Sequence, residues 1–239
     1  MTRVADAAAE LREELGRRFV LLEEVITIGD RELTIVRPRS AEDLISEEDF
    51  AVDERLPYWA DIWPSSLILA EHIPANRASG PVLELGCGVG VVTCAALLAG
   101  FEVEATDYYI DALAFTRLNS LVNTGREPAV RHLDWRALPD DLRPVPLVLA
   151  SDVLYERPYA AAVAEVLRRL LSADGLALVA DPGRVAVTEF LAECDARGLE
   201  LSRSEQREFR AGEIRQTITL YSLSPSASSS RDLTSSPQR

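Results

Sequence analysis

The chain has 239 residues with 47% hydrophobic content, enough for one α/β domain around a sizeable core. A formal net charge of −14 and a pI near 4.7 argue against a nucleic-acid partner, because phosphate binding needs clustered positive charge; they are compatible with a basic protein segment or a cationic small molecule. No apolar run approaches the length of a membrane span, so no membrane partner is expected.

Residues 4–17 place Val4, Ala8, Leu11 and Leu15 on one side with charge elsewhere, the pattern of an amphipathic helix. Asp6, Glu10, Glu13 and Glu14 in this stretch are foreign to a transit peptide or secretory leader, and a cytoplasmic location is expected. Phe19–Ile28 and Glu32–Val36 are β-rich runs that predict a hairpin around Gly29-Asp30-Arg31. Ser40-Ala41-Glu42-Asp43 has the form of a capping box opening a short acidic helix. Residues 1–55 carry little core of their own and are expected to form an accessory helix and hairpin on the main domain.

Residues 56–223 are expected to be that domain. Its first segment, Leu56 to Ser66, concentrates two of the three tryptophans, Trp59 and Trp63. Pro64 suits the first turn of a helix running to Ile73, where its missing N–H is not needed. Tyr58 and Trp59 either clasp the core or line a site. Pro81–Leu85 then reads as a short buried strand, followed by Gly86, Gly88 and Gly90 and by an apolar helix, Val91–Leu98. Strand, glycine turn and helix bring a ligand close to the backbone, because glycine permits φ > 0 and leaves no Cβ in the way. A dinucleotide fingerprint, G-x-G-x-x-G, would need its third glycine at Val91; the pattern here is E-x-G-x-G-x-G, with Glu84 two residues before the first glycine.

The following strands end in acids. Phe101–Thr106 stops at Asp107, whose two oxygens suit the two hydroxyls of a ribose. The alternative role, capping the next helix over 111–123, suits Asp111 better. That helix is expected to bury Ala112, Phe115, Leu118 and Val122. Ala129–Leu133 ends in Asp134-Trp135, a carboxylate for an adenine amino group beside an indole for its ring. Leu147–Ala150 leads into Ser151-Asp152-Val153-Leu154-Tyr155. A helix over 158–171, a strand over Leu176–Ala180, the sequence Asp181-Pro182-Gly183-Arg184 and a helix over 185–197 follow. Two β-like runs, 199–204 and 214–223, close the fold, the second with Ile214, Gln216, Ile218 and Leu220 on one side. The serine- and proline-rich residues 224–239 are expected to be a disordered tail. Cys87, Cys94 and Cys194 lack metal-ligand spacing and read as buried free thiols, so no metal is expected.

The E-x-G-x-G-x-G run, with acids at successive strand ends, resembles motif I and its partners in the seven-β-strand, class I S-adenosylmethionine-dependent methyltransferases. That resemblance implies a Rossmann-like α/β fold, a seven-stranded sheet with helices on both faces and its last strand antiparallel. It implies S-adenosyl-L-methionine as cofactor, held by Trp63, Glu84, Gly86, Gly88, Gly90, Asp107, Asp134, Trp135 and Ser151. The sequence Asp152-Val153-Leu154-Tyr155 matches the D-x-x-Y motif of the protein-lysine methyltransferase branch. By that match Asp152 orients the incoming amine and Tyr155 shapes a narrow entrance, although such a loop also serves as a plain helix start. The P-Y-W-A-x-x-W-P segment and D-P-G-R are most similar to the branch acting on the electron transfer flavoprotein β-subunit and its bacterial relatives. The implied partner is a protein with an accessible lysine, that β-subunit or a ribosomal L7/L12-like protein. A small-molecule N-methyltransferase and a catalytically inactive, cofactor-binding regulator are the alternatives on the same fold.

Overall fold

The computed structural model describes residues 2–40, 57–73 and 80–226. Its centre is a seven-stranded sheet built from β3 (Pro81–Leu85), β4 (Glu102–Asp107), β5 (Ala129–His132), β6 (Val145–Ser151), β7 (Leu171–Asp181), β8 (Leu199–Ala211) and β9 (Ile214–Pro225). The spatial order is β5-β4-β3-β6-β7-β9-β8. β9 runs antiparallel to β7 and to β8, and the other neighbours are parallel. The last strand is thus the antiparallel one, but it is inserted between β7 and β8.

Parallel strands covered on both faces need apolar residues on both faces. Val82, Leu83 and Leu85 in β3, Val148–Ala150 in β6 and Ala177–Ala180 in β7 supply them, each no more than 3% exposed. One face packs under α5 (Tyr159–Leu170) and α6 (Val187–Ala196), with Val163, Leu167 and Phe190 at its heart. The other packs under α2 (Pro64–His72) and α3 (Val91–Leu98), where Leu69, Val92 and Leu97 meet Ile218 and Leu220. Pro64 stands in the first turn of α2, as expected. β3 continues to β4 on one side while β6 joins it on the other, so strand order reverses beside β3, the place where an open α/β sheet leaves a crevice at its carboxyl ends.

The front of the chain forms α1 (Thr2–Gly16) and the antiparallel pair β1 (Leu21–Ile28) and β2 (Arg31–Pro38), turning at Gly29-Asp30. Leu15, Ile26, Leu33 and Ile35 share a cluster with Phe115 and Leu118 of α4 (Ile110–Thr124). Two asparagines one helical turn apart on α4 serve β2 as a substitute strand. Asn119 accepts from Val36 N and donates to Val36 O, each at 2.8 Å. Asn123 does the same for Thr34, at 2.8 and 2.9 Å.

Several expectations change. Val122 is 39% exposed and Leu121 is buried in its place, because the α4 stripe follows the 3.6-residue period past Leu118. β8 and β9 form a longer hairpin than their apolar runs suggested, and Ile214 at its tip is exposed. β7 begins directly after α5: Leu171 pairs with Val145 and Leu176 with Leu147, leaving Ser172–Gly175 as a bulge. β9 continues through Pro225, and Ser226, whose N–H donates to Gly198 O, is buried, so order extends past position 224. Residues 41–43 of the expected Ser40–Asp43 capping box, and residues 227–239, lie outside the described residues.

Candidate active site

The glycine loop is shaped by three left-handed residues in alternation: Gly86, Gly88 and Gly90 have φ of 67°, 54° and 85°. At Gly90 the reason is space as well as torsion, since a Cβ would stand 2.9 Å from Thr116 Cα of α4. Thr116 Oγ1 donates to Gly88 O, and Asn119 Nδ2 to Val89 O, so the loop is tied to the helix behind it. Asp107, at the end of the neighbouring strand, closes the arrangement: one carboxylate oxygen accepts from Gly88 N and the other from Tyr109 N, both at 2.9 Å. Burial raises the Asp107 carboxyl to a pKa of about 6, against the pull of those backbone donors.

These strand ends surround a cleft of about 920 Å³, open solvent at its mouth included. Gly86 and Gly88 of the loop, Asp107, Asp134, Trp135, Ser151 and Asp152 at the strand ends, and the aromatic residues Tyr58, Trp59, Trp63 and Tyr155 line it. Glu84 and Gly90 are not among the lining residues. Glu84 is 2% exposed, with its carboxyl accepting from Thr93 Oγ1 and pushed up to about 8 by burial. Glu84 belongs to β3 ahead of the glycine loop, and Gly90 ends the loop against Thr116. Asp134 forms a fork with Arg136, through Nε at 2.9 Å and a terminal nitrogen at 2.8 Å. Trp135 packs edge-on to Tyr159 and under Gly86, where an added Cβ would come within 3.5 Å of its ring. Its Nε1–H is buried without a partner among the described residues.

A second space adjoins the cleft and is lined by Tyr58, Trp63, Asp152, Tyr155, Glu156 and Arg184. Tyr58, Trp63, Asp152 and Tyr155 line both. Asp152 adopts φ 57°, the one left-handed non-glycine among the described residues. Its Oδ2 accepts from Ser65 Oγ at 2.9 Å and its Oδ1 from Arg184 Nε at 2.7 Å. The helix-start reading of this loop does not hold: α5 begins at Tyr159, seven residues on, with Pro158 as its cap. Tyr155 packs edge-on between Tyr58 and Tyr159, at centroid distances of 5.4 and 5.1 Å, and burial raises its phenol.

Sequence reasoning left Tyr58 and Trp59 open; both line the cleft, Trp59 also resting on Tyr109 and Phe115. It missed Ser65 and Arg184. They lie 87 and 32 residues from Asp152, and no local pattern announces either contact. Arg136 was legible in principle, because Asp134 and Arg136 are two residues apart and an aspartate so placed commonly folds onto the backbone and side chain two positions ahead.

The family profile described as lysine methyltransferase matches residues 55–195. The electron transfer flavoprotein beta subunit lysine methyltransferase of Xenopus laevis is 32% identical over 136 residues, covering 54% of this chain and 53% of that protein. Protein-lysine methyltransferase METTL21E of Mus musculus is 32% identical over 116 residues, 43% of this chain and 47% of that one. The chain thus spans about half the length of the curated relatives it matches. Among solved structures, a TehB-like SAM-dependent methyltransferase from Corynebacterium glutamicum superposes with a TM-score of 0.53 at 16% identity, covering 77% of this chain and 97% of that one. Ribosomal protein L11 methylase from Lactobacillus delbrueckii gives 0.52 at 17%, covering 68% and 77%. These two likenesses concern the fold.

Proposed function

The chain belongs to the lysine methyltransferase family, and from that membership we propose that it moves a methyl group from S-adenosylmethionine to the side-chain amine of a lysine in a protein substrate. The observation that carries this reading is the junction of the two spaces at Tyr58, Trp63, Asp152 and Tyr155, a carboxylate among aromatic rings between the cleft of the strand ends and the space beside it.

The lining fits the cofactor. Asp107 is a buried carboxylate lining the cleft, and the remaining acceptor capacity of its two oxygens suits ribose hydroxyls. Trp135 and Leu133 offer apolar surface for a purine, and Gly86 and Gly88 bring backbone to the cleft without side chains. In these roles Asp107 binds ribose, Asp134 and Trp135 border the adenine, and Ser151 and Trp63 enclose the methionine end; Glu84 and Gly90 act through the shape of the loop. When bound, the cofactor supplies a methyl group already activated by its sulfonium. The chain's own task is alignment, which by itself can lower the barrier by several kcal/mol, roughly 7–11 in favourable cases.

A lysine acceptor must also lose a proton. Holding its amine neutral near pH 7 costs about 4.6 kcal/mol from a reference pKa of about 10.4. The aromatic walls at Tyr58, Trp63 and Tyr155 desolvate the amine and so favour the neutral form, while Asp152 orients it. The electron transfer flavoprotein β-subunit, after which two of the relatives are named, is the first acceptor to try, followed by an L7/L12-like ribosomal protein.

The test is transfer of a radiolabelled methyl group from S-adenosylmethionine in a lysate and to the purified β-subunit, with the modified residue located by mass spectrometry. A labelled lysine in a discrete protein band is expected. Label confined to the small-molecule fraction, or no transfer, would overturn the assignment.

A further inference from the structure

The acceptor side of the junction already holds a cation. Arg184 Nε donates to Asp152 Oδ1 at 2.7 Å, and its guanidinium carbon stands 5.3 Å from the centroid of the Trp63 ring. A buried carboxylate and an indole face are the two elements that recognise an alkylammonium. The carboxylate is 5% exposed, whereas the Arg184 side chain is 33% exposed.

The way each partner is held shows which one can move. Asp152 keeps a separate hydrogen bond to Ser65, which is fully buried, so it stays in place without Arg184. The Arg184 backbone is anchored by Asp181, whose Oδ1 accepts from Gly183 N and Arg184 N, both at 2.7 Å. Its side chain is held by the Asp152 contact and the Trp63 face and is one-third exposed, and it lines the second space but not the cleft that the glycine loop lines. The guanidinium can therefore swing outward by side-chain rotation alone.

We propose that Arg184 is a built-in occupant of the amine subsite: its guanidinium holds the position on Asp152 and against Trp63 that the acceptor ammonium takes, and substrate engages by displacing it. The inference rests on the lysine-acceptor reading above. It makes Arg184 a specificity-setting latch, because a cation arriving at Asp152 must compete with the guanidinium for it. A lysine presented on a protein that brings further contacts can win that competition; a free amine binds poorly.

The experiment uses n-butylammonium, the chemical equivalent of a lysine side chain, titrated calorimetrically into the full chain. Arg184→Ala and Arg184→Gln are each expected to bind it at least about tenfold more tightly than the wild type, as removal of an internal competitor requires. Adding Asp152→Asn to Arg184→Ala should abolish the gain, and methylguanidinium should compete for the opened site. Circular dichroism and melting temperature establish that the variants are folded, and Arg184→Gln keeps an extended polar side chain should the alanine variant misfold. Equal or weaker binding by the folded variants overturns the proposal. Transfer assays separate it from the reading it rests on. Tightened butylammonium binding with no transfer to any protein lysine leaves the latch standing and removes the lysine acceptor. Normal transfer with a raised acceptor KM in Arg184→Gln does the reverse.

Discussion

At the scale of single residues, Asp152 and Glu84 show how differently two buried carboxyls are treated. Asp152 is met by a hydroxyl and a guanidinium and keeps a place at the cleft. Its left-handed backbone makes asparagine the conservative replacement, since asparagine adopts that conformation readily and alanine does not. Asp152→Asn is expected to leave cofactor affinity nearly unchanged and to lower single-turnover methyl transfer about 100-fold, because the acceptor loses the charge that aligns it. Near-normal turnover would remove Asp152 from the site, and joint loss of transfer and cofactor binding would move it into the cofactor pocket. Glu84 has a hydroxyl donor but no cation among the described residues, and burial raises it to about 8. A carboxyl whose folded pKa is raised stabilises least when ionised. Its penalty is absent below the unfolded value, grows as pH rises and is complete above the folded one. Between about pH 6 and pH 8 this residue alone should cost the fold about 2 kcal/mol. Urea unfolding of Glu84→Gln at those two pH values should show that loss removed; an equal fall in the variant would assign the pH dependence elsewhere.

At the scale of elements, α4 joins three parts of the molecule. Its buried face carries Phe115 and Leu118 into the cluster under α1 and the hairpin, Thr116 and Asn119 hold the glycine loop, and Asn119 and Asn123 pair with β2. Asn119→Ala would leave the N–H and carbonyl of Val36 and the carbonyl of Val89 without this partner in a buried setting. A loss of about 3 kcal/mol is expected, since each orphaned buried group costs about 1–3 kcal/mol and some relaxation follows. Asn123→Ala, at a partly buried position, should cost about 1 kcal/mol. Chemical denaturation ranks the pair; equal losses would mean that the link to the glycine loop adds nothing. Cofactor affinity should also fall in Asn119→Ala alone, because only Asn119 of the two reaches that loop.

At the scale of the whole molecule, the two antiparallel pairings of β9 close the sheet. Pro225 pairs with Leu199, and Ser226 N donates to Gly198 O at 2.8 Å, fastening the start of β8. Ending the chain after Leu223 should therefore lower its stability by about 1–2 kcal/mol relative to ending it after Ser226. Thermal melts of the two truncations decide this. Identical midpoints would show that the last ladder residues contribute nothing, and that the domain ends where hydrophobic alternation does.

Much of this architecture was legible in one dimension. Pro81–Leu85, Val91–Leu98, the front hairpin and the carboxylates at successive strand ends follow from torsional and hydrophobic periodicities that act between near neighbours, and glycines at every second position allow few backbone paths. The candidate site was legible as a set of strand ends, because a parallel sheet brings those ends to one edge whatever its loops do. Tertiary packing decided which residues line the cleft: Glu84 and Gly90 do not, while Tyr58 and Trp59, from outside that set, do. It also decided charge. Asp152 was expected to orient an amine, and only the fold brings Ser65 and Arg184 to its two oxygens. Local propensity constrains backbone torsions residue by residue, but the partner of a buried charge is chosen by burial itself, which acts only once distant strands have met.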